Sequence, residues 1–251
     1  MGNAGRETGR GAHWVRLPET PVLIERLAFV ILAIVALSVF QEIVRYAVYD
    51  GEPYEGLSSS LSLLDVDVED SIPTWFASMQ LAAIGGLLLT WKRELAGVER
   101  TYGWILLGVV FVGLSIDEIA SVHERLDRPT RSLLDIEGGV VMGDGAVERF
   151  SGLPLWPIPV ALSMIVLLAT LVPFLRNLPR ATLWRFVIAG AVFVSGAIGL
   201  DMLQWATGSS STDSFLYNLV TTVEEALEMI GALLFLRAVL LHHDEMLRLT
   251  T

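Results

Sequence analysis

Cysteine is absent, lysine occurs once, at Lys92, and charged residues make up only 18% of the 251 positions, against roughly 25% in an average soluble domain. Without cysteine there are no disulfides, thiolate metal sites, iron–sulfur clusters or cysteine nucleophiles. The single lysine ends an apolar run, so a mid-helix retinal-type Schiff base is excluded. Histidine is nearly as scarce, with four residues. A bis-histidine haem needs two inside apolar runs, where only His123 is available. Acids outnumber bases by 28 to 17, and a net charge of −11 repels a phosphate backbone, so nucleic acid is not a partner.

Apolar residues are abundant. They make up 53% of the chain, and the mean hydropathy is +0.58. Six runs, at about 22–49, 72–91, 102–123, 157–174, 182–205 and 215–241, are each long enough to cross about 30 Å of hydrocarbon as a helix. Trp75, Trp91, Trp104, Trp156, Trp184 and Trp205 fall near the ends of these runs, where an amphipathic ring prefers the interface. Ser71, followed by Pro73, is a helix start for the second. The expected fold is an all-α integral membrane bundle of six transmembrane helices in one domain, 1–251, and the bilayer is its first partner. Residues 1–20 form a tail, and 125–156 an outer loop or lid. Gly138-Gly139 and Gly143-Asp144-Gly145 read as turns in that lid, with a short hairpin around 140–142.

Lys and Arg counts set the orientation. Arg6, Arg10, Arg16, Arg26, Lys92, Arg93, Arg100, Arg176, Arg180, Arg185, Arg237 and Arg248 fall on one side, and Arg45, Arg125, Arg128, Arg131 and Arg149 on the other. Both termini are therefore expected in the cytoplasm, in a multi-pass protein of the cell membrane. The first outer loop, 50–70, holds seven acids and no base, which agrees. The alternation Asp65-x-Asp67-x-Glu69 lacks the Gly and distal Glu of an EF-hand and reads as a solvated acidic stretch.

Polar residues inside the spans carry the functional signal. They are Gln41 and Glu42, Ser78 and Gln80, Asp117, Glu118, His123 and Glu124, Asp201 and Gln204, and Thr221, Thr222, Glu224, Glu225 and Glu228. At 1.5 Å per residue they share the outer half of the bilayer, a coincidence of depth that scattered salt bridges do not require. At 100° per residue, Asp117, Ser121 and Glu124 share a stripe, whereas Glu118 lines up with Arg125 as a pair. Glu224, Glu225 and Glu228 share an arc of the last span. Carboxylates packed together must be protonated or held by cations, and Arg45 and Arg125 can neutralise two of them. The remainder point to a divalent metal ion on Asp117, His123, Glu124, Glu224 and Glu228, with Glu225 or Asp201 as general base for a metal-bound water.

Familiar signatures fail on single positions. His123-Glu124-Arg125-Leu126-Asp127 begins like HExxH but lacks the second His. No Glu stands three residues before His123, as a di-iron helix requires. Glu224-Glu225 begins like the EExxxR of CAAX-type intramembrane proteases and then departs from it. Met142-Gly143-Asp144 has Val141 where intramembrane aspartyl proteases have Gly. Two segments do resemble a known group: Ser115-Ile116-Asp117-Glu118-Ile119-Ala120-Ser121-Val122-His123-Glu124 and Glu224-Glu225-Ala226-Leu227-Glu228 are similar to stretches of uncharacterised prokaryotic multi-pass membrane proteins. That resemblance implies a shared fold and a shared polar site, without a substrate.

The residues together suggest a metal-dependent membrane hydrolase acting on a lipid or other amphiphile. A cation- or proton-coupled transporter or channel would use the same acids, and a non-catalytic assembly subunit is a third reading. The inner half of the spans carries almost no polar residue, which favours a one-sided site over a through-path.

Overall fold

The computed structural model describes residues 20–49, 60–96, 101–135, 142–143, 146–147, 154–206 and 214–250. The chain is helical: α1 (Thr20–Tyr49), a 3-10 turn (Ser62–Leu64), α2 (Ile72–Ala96), α3 (Thr101–Ala120), α4 (Val122–Arg125), α5 (Asp127–Leu133), α6 (Pro157–Leu175), α7 (Arg180–Val194), a π-helical segment (Ser195–Leu200), α8 (Asp201–Ala206) and α9 (Phe215–Thr250). Two two-residue strands, β1 (Met142–Gly143) and β2 (Ala146–Val147), pair antiparallel. The tail before Thr20 and the turns at Gly138-Gly139 and Asp144-Gly145 lie outside the described residues.

Among the described residues, five helical stretches are long and apolar enough to cross a membrane: Thr20–Tyr49, Ile72–Leu95, Thr101–Ala120, Pro157–Leu175 and Arg180–Gln204. Their outer faces are apolar. Phe29, Leu32, Phe40, Leu162, Ile165 and Trp184 each expose more than half of their surface, far beyond what a water-facing monomer leaves open in one belt. The sixth expected span is the first part of α9, which continues to Thr250. At 1.5 Å per residue its 36 residues reach about 54 Å, longer than a bilayer core is thick.

Hydrogen bonding sets the helix limits. α2 begins where expected: the Ser71 Oγ accepts the Thr74 amide at 3.3 Å, satisfying one of the free N–H groups of the first turn. α3 and α4 are separated by Ser121, whose φ of 42° and ψ of 47° are left-handed. One left-handed residue rotates everything after it away from the α3 phase.

Small residues let the helices approach closely. A Cβ on Gly85 in α2 would lie 2.9 Å from the Gly108 carbonyl oxygen in α3. Nearby, the Ser78 hydroxyl donates to the Ser115 carbonyl at 2.8 Å. A Cβ on Gly231 of α9 would lie 2.6 Å from the Phe193 backbone nitrogen, and one on Gly196 would lie 2.7 Å from the Glu224 carbonyl. α9 therefore runs backbone-to-backbone against α7 and the π segment. It also packs on α1 and α2, which makes it the central helix.

The main core fills the end of the bundle that holds the start of α1 and the end of α9, where Thr20 Oγ1 donates to Asp244 Oδ2 at 3.1 Å. Leu88, Leu95, Trp104, Phe111, Phe174, Phe186, Phe235 and Val239 are buried together there. Trp104 is 1% exposed, so it is a core residue and not an interface anchor. Its ring stacks on His242 at 5.2 Å and meets Phe174 edge-on at 5.0 Å. His242 joins three helices: its Nδ1 lies 3.1 Å from the Thr182 hydroxyl and its Nε2 lies 3.3 Å from the Leu95 carbonyl. Burial holds His242 below the ordinary histidine pKa. As a neutral ring it donates from Nε2 to the carbonyl and accepts from threonine at Nδ1.

Gly231→Leu should lower the melting temperature in detergent by the equivalent of about 2 kcal/mol or more, because the clash falls on Phe193 backbone and cannot rotate away. Gly190→Ala, with nothing within 4 Å of the new Cβ, should stabilise by roughly 0.5–1 kcal/mol through helix propensity alone. Equal melting temperatures for the two variants would reject backbone contact between α7 and α9.

Candidate functional site

At the opposite end of the bundle a cavity of about 1090 Å³ opens between α3, α4, α6, the π segment and α9. Nine carboxylate residues line it, against Arg125, Arg128 and His123.

The best-defined pair in the cavity is Asp117 and His123. The left-handed turn at Ser121 folds α4 back over the end of α3, so the Asp117 carboxylate meets α4 head-on. Its Oδ1 accepts the His123 backbone N–H and its Oδ2 contacts His123 Nδ1, both at 2.8 Å. A carboxylate only accepts, so the ring proton belongs on Nδ1. Trp156 stands edge-on to the ring at 5.0 Å. Ser121 donates its hydroxyl to Glu69, which ties this turn to the loop before α2.

The same turn defeats the expectation built on helical phase. Glu124 leaves the Asp117 stripe and is exposed at the rim. Glu118 does not pair with Arg125; it borders the cavity within electrostatic reach of Glu225 and Glu228. Among the described residues, Glu118, Glu225 and Glu228 make no hydrogen bond or ion pair. Glu224 differs, because the Gln204 amide donates toward its Oε2 at 3.4 Å. The side chain of Asp201 lies outside the described residues. Among those residues, no group of three or more His, Asp or Glu is placed to hold a metal ion. Of the expected ligands Asp117, His123, Glu124, Glu224 and Glu228, Asp117 and His123 contact each other, and Glu124, after the break at Ser121, is exposed at the rim.

Glu42 shows what a satisfied buried carboxylate looks like here. It is 3% exposed, and it accepts from Gln41 at 2.7 Å and from Asn218 of α9 at 2.9 Å, with Arg45 at 3.6 Å. It joins α1 to α9. Asp127 is equally occupied, by Arg131 and by the Leu155 amide, each at 2.6 Å. These bonds bring the two ends of the 125–156 connection together at the cavity.

The acidic stretch before α2 is solvated in part: Asp67, Glu69 and Asp70 are exposed and Asp65 is not. Asp65 is buried, and its Oδ1 accepts the Asp67 amide at 3.0 Å. Asp67 lines the cavity, so the solvent that reaches its carboxyl is cavity solvent. Burial among protein atoms, together with repulsion from Asp65, Glu124 and Glu42, pushes its pKa up to about 7, and Arg45 pulls the other way. The alternate spacing of the acids was visible in the sequence, whereas the fold of the loop back onto α3 was not.

A carboxyl whose folded pKa exceeds its unfolded value keeps a proton that the unfolded chain has lost. Stability should therefore fall as pH rises from about 4 to about 7. Asp67→Asn should raise the melting temperature at pH 8 by the equivalent of about 1 kcal/mol, since cavity water screens the repulsion, and the gain should vanish near pH 4. A gain that is the same at both pH values would reject the raised pKa.

No curated protein and no solved structure matches the chain. Residues 15–243 match a domain of unknown function, DUF8692. That match covers nearly all of the helical bundle and the whole of the cavity lining, and the chain belongs to the DUF8692 family.

Proposed function

We propose that the protein is a six-span membrane enzyme of the hydrolase class, acting on an amphiphile from a cavity in the outer half of the bilayer. The observation that carries this reading is the Asp117–His123 pair on the cavity wall. Asp117 holds the backbone and the ring of His123 together, which fixes the ring and leaves Nε2 as the basic nitrogen. His123 then takes the proton of a water or substrate hydroxyl as that group attacks, the general-base role first expected of Glu225 or Asp201.

The second reading, a proton- or cation-coupled transporter, draws on Glu118, Glu225 and Glu228. Like charges without partners in a low-dielectric space call for protons or a cation, and a divalent ion bound there from solution would serve. The aromatic core at the other end, with Trp104, Phe111, Phe186 and Phe235 buried together, argues for a site reached from one side. For orientation, the meeting of Thr20 with Asp244 supports both termini on one face of the membrane, and the charge asymmetry supports the cytoplasmic one.

Purified protein should cleave at least one of a panel of long-chain esters, amides and phosphodiesters, and His123→Ala should reduce that turnover about 10²- to 10⁴-fold. Asp117→Asn presents one N–H donor where two acceptors stood, so it should move the ring proton of His123 to Nε2. Ring nitrogen shifts report this, with only four histidines to assign. No turnover with any substrate, together with proton or cation flux in vesicles that Glu228→Gln abolishes, would replace the enzyme with the transporter.

The chain has no native cysteine, so topology can be read from introduced ones. Ser59→Cys and Ser210→Cys should react with an impermeant maleimide added to intact cells, and Thr250→Cys should react only after lysis. Reaction at position 250 in intact cells would invert the orientation.

A further inference from the structure

The elements that line the cavity differ chemically. α3 and α9 bring Glu118, Glu225 and Glu228 to it; α6 brings the apolar Val160 and Met164, and the π segment, packed on α9 at Gly196, adds Ala197 and Ile198 beside them. The α6 wall is also the thin one. The buried side chains of α6 are Leu171 and Phe174, both in its last two turns. There Phe174 fills the notch over Gly103, where a Cβ would lie 2.2 Å from the ring, and packs against Trp104. From Pro157 to Thr170 the α6 side chains are exposed or half-buried. α6 is therefore held at its end by Phe174 and at its start by Leu155 and Trp156, and between them it stands off the bundle, with the cavity behind it and Leu162, Ile165 and Val166 facing outward.

We infer that the cavity takes a single-chain amphiphile with an ammonium head, admitted sideways from the bilayer between α6 and α3. This deepens the amphiphile reading above and rests on it for the site, but not for the chemistry. Charge selects the head. Glu118, Glu225 and Glu228 make no hydrogen bond or ion pair among the described residues; when ionised they repel one another, and an ammonium between them removes that repulsion, whereas a phosphate, sulfate or carboxylate head would add to it. The apolar residues select the tail, which lies along Val160, Met164 and Ile198. The volume, about 1090 Å³, is just above the roughly 300–1,000 Å³ that holds small ligands, enough for an alkyl chain as well as its head. The route follows from the packing, since an alkyl chain leaves the bilayer at little cost only where a lipid-facing helix is not sealed to its neighbours.

The test uses full-length protein in zwitterionic nanodiscs, with radiolabelled dodecyltrimethylammonium and dodecyl sulfate as probes. The ammonium amphiphile should bind saturably and at least tenfold more tightly than the sulfate. Glu225→Gln combined with Glu228→Gln should remove that preference, and His123→Ala should keep it. Equal binding of the two heads in the wild type overturns the inference while leaving acid–base chemistry at His123 untouched. Preferential binding with no turnover on any substrate keeps the ligand class and removes the hydrolase. For the route, Val110→Cys and Met164→Cys, both on the cavity wall, are linked with a bis-maleimide. The link should slow binding of dodecyltrimethylammonium at least tenfold and leave tetramethylammonium unaffected. Unchanged amphiphile kinetics in the linked protein would overturn sideways admission.

Discussion

α9 can carry Glu224, Glu225 and Glu228 through an apolar bundle because other helices surround it. An ionised side chain facing hydrocarbon costs several kcal/mol, and the rest of the architecture removes that exposure. Gly231 and Gly196 bring α7 and the π segment into backbone contact with α9. α1 closes another side through Glu42 and Asn218, and α2 closes a third, with the Gln80 amide donating to the Met229 carbonyl at 3.1 Å. Apolar surface is displaced outward onto α1, α6 and α7, which accounts for a belt of exposed Phe, Leu and Ile on a chain rich in acids.

The two ends of the bundle then play different parts. At the end holding Thr20 and Asp244, aromatic rings pack around a neutral His242 and leave a cavity of about 170 Å³, far smaller than the one at the other end. At the other end, the left-handed residue Ser121 turns α3 into α4, and the space that opens there is bordered by carboxylates. A tight apolar end and an open acidic end are two results of one constraint: α9 must bury its apolar half against rings and keep its acidic half within reach of water.

The acids of this bundle divide into satisfied and unsatisfied sets, and the division follows geometry. Glu42, Asp127 and Asp117 each have partners within 3 Å, and they join α1 to α9, α5 to the loop before α6, and α3 to α4. Among the described residues, Glu118, Glu225 and Glu228 make no hydrogen bond or ion pair. A buried polar group that is fully bonded serves the fold, whereas one that faces a cavity without partners is available for a ligand or a proton.

The sequence by itself determined the class of the molecule, a helical chain with several stretches long and apolar enough to cross a membrane. Long apolar runs, sparse charge and tryptophans near the run ends specify membrane-length helices, because hydropathy and length act locally along the chain. The grouping of Asp117, His123, Glu224, Glu225 and Glu228 around one space was also legible, since residues at equal depth on neighbouring helices meet if the helices pack at all. Which acid faces which was decided by the tertiary structure. Phase counting carried Glu124 with Asp117 and paired Glu118 with Arg125, and a single left-handed residue undid both, because backbone handedness at one position rotates every later side chain. Trp104 read as an interface ring and is core, since a close notch at Gly103 and a facing His242 exist only after packing. Asp65 read as solvated and is buried, because the loop before α2 packs on Ser38 of α1 and reaches Ser121 through Glu69. Those contacts are long-range, and local pattern carries no information about them.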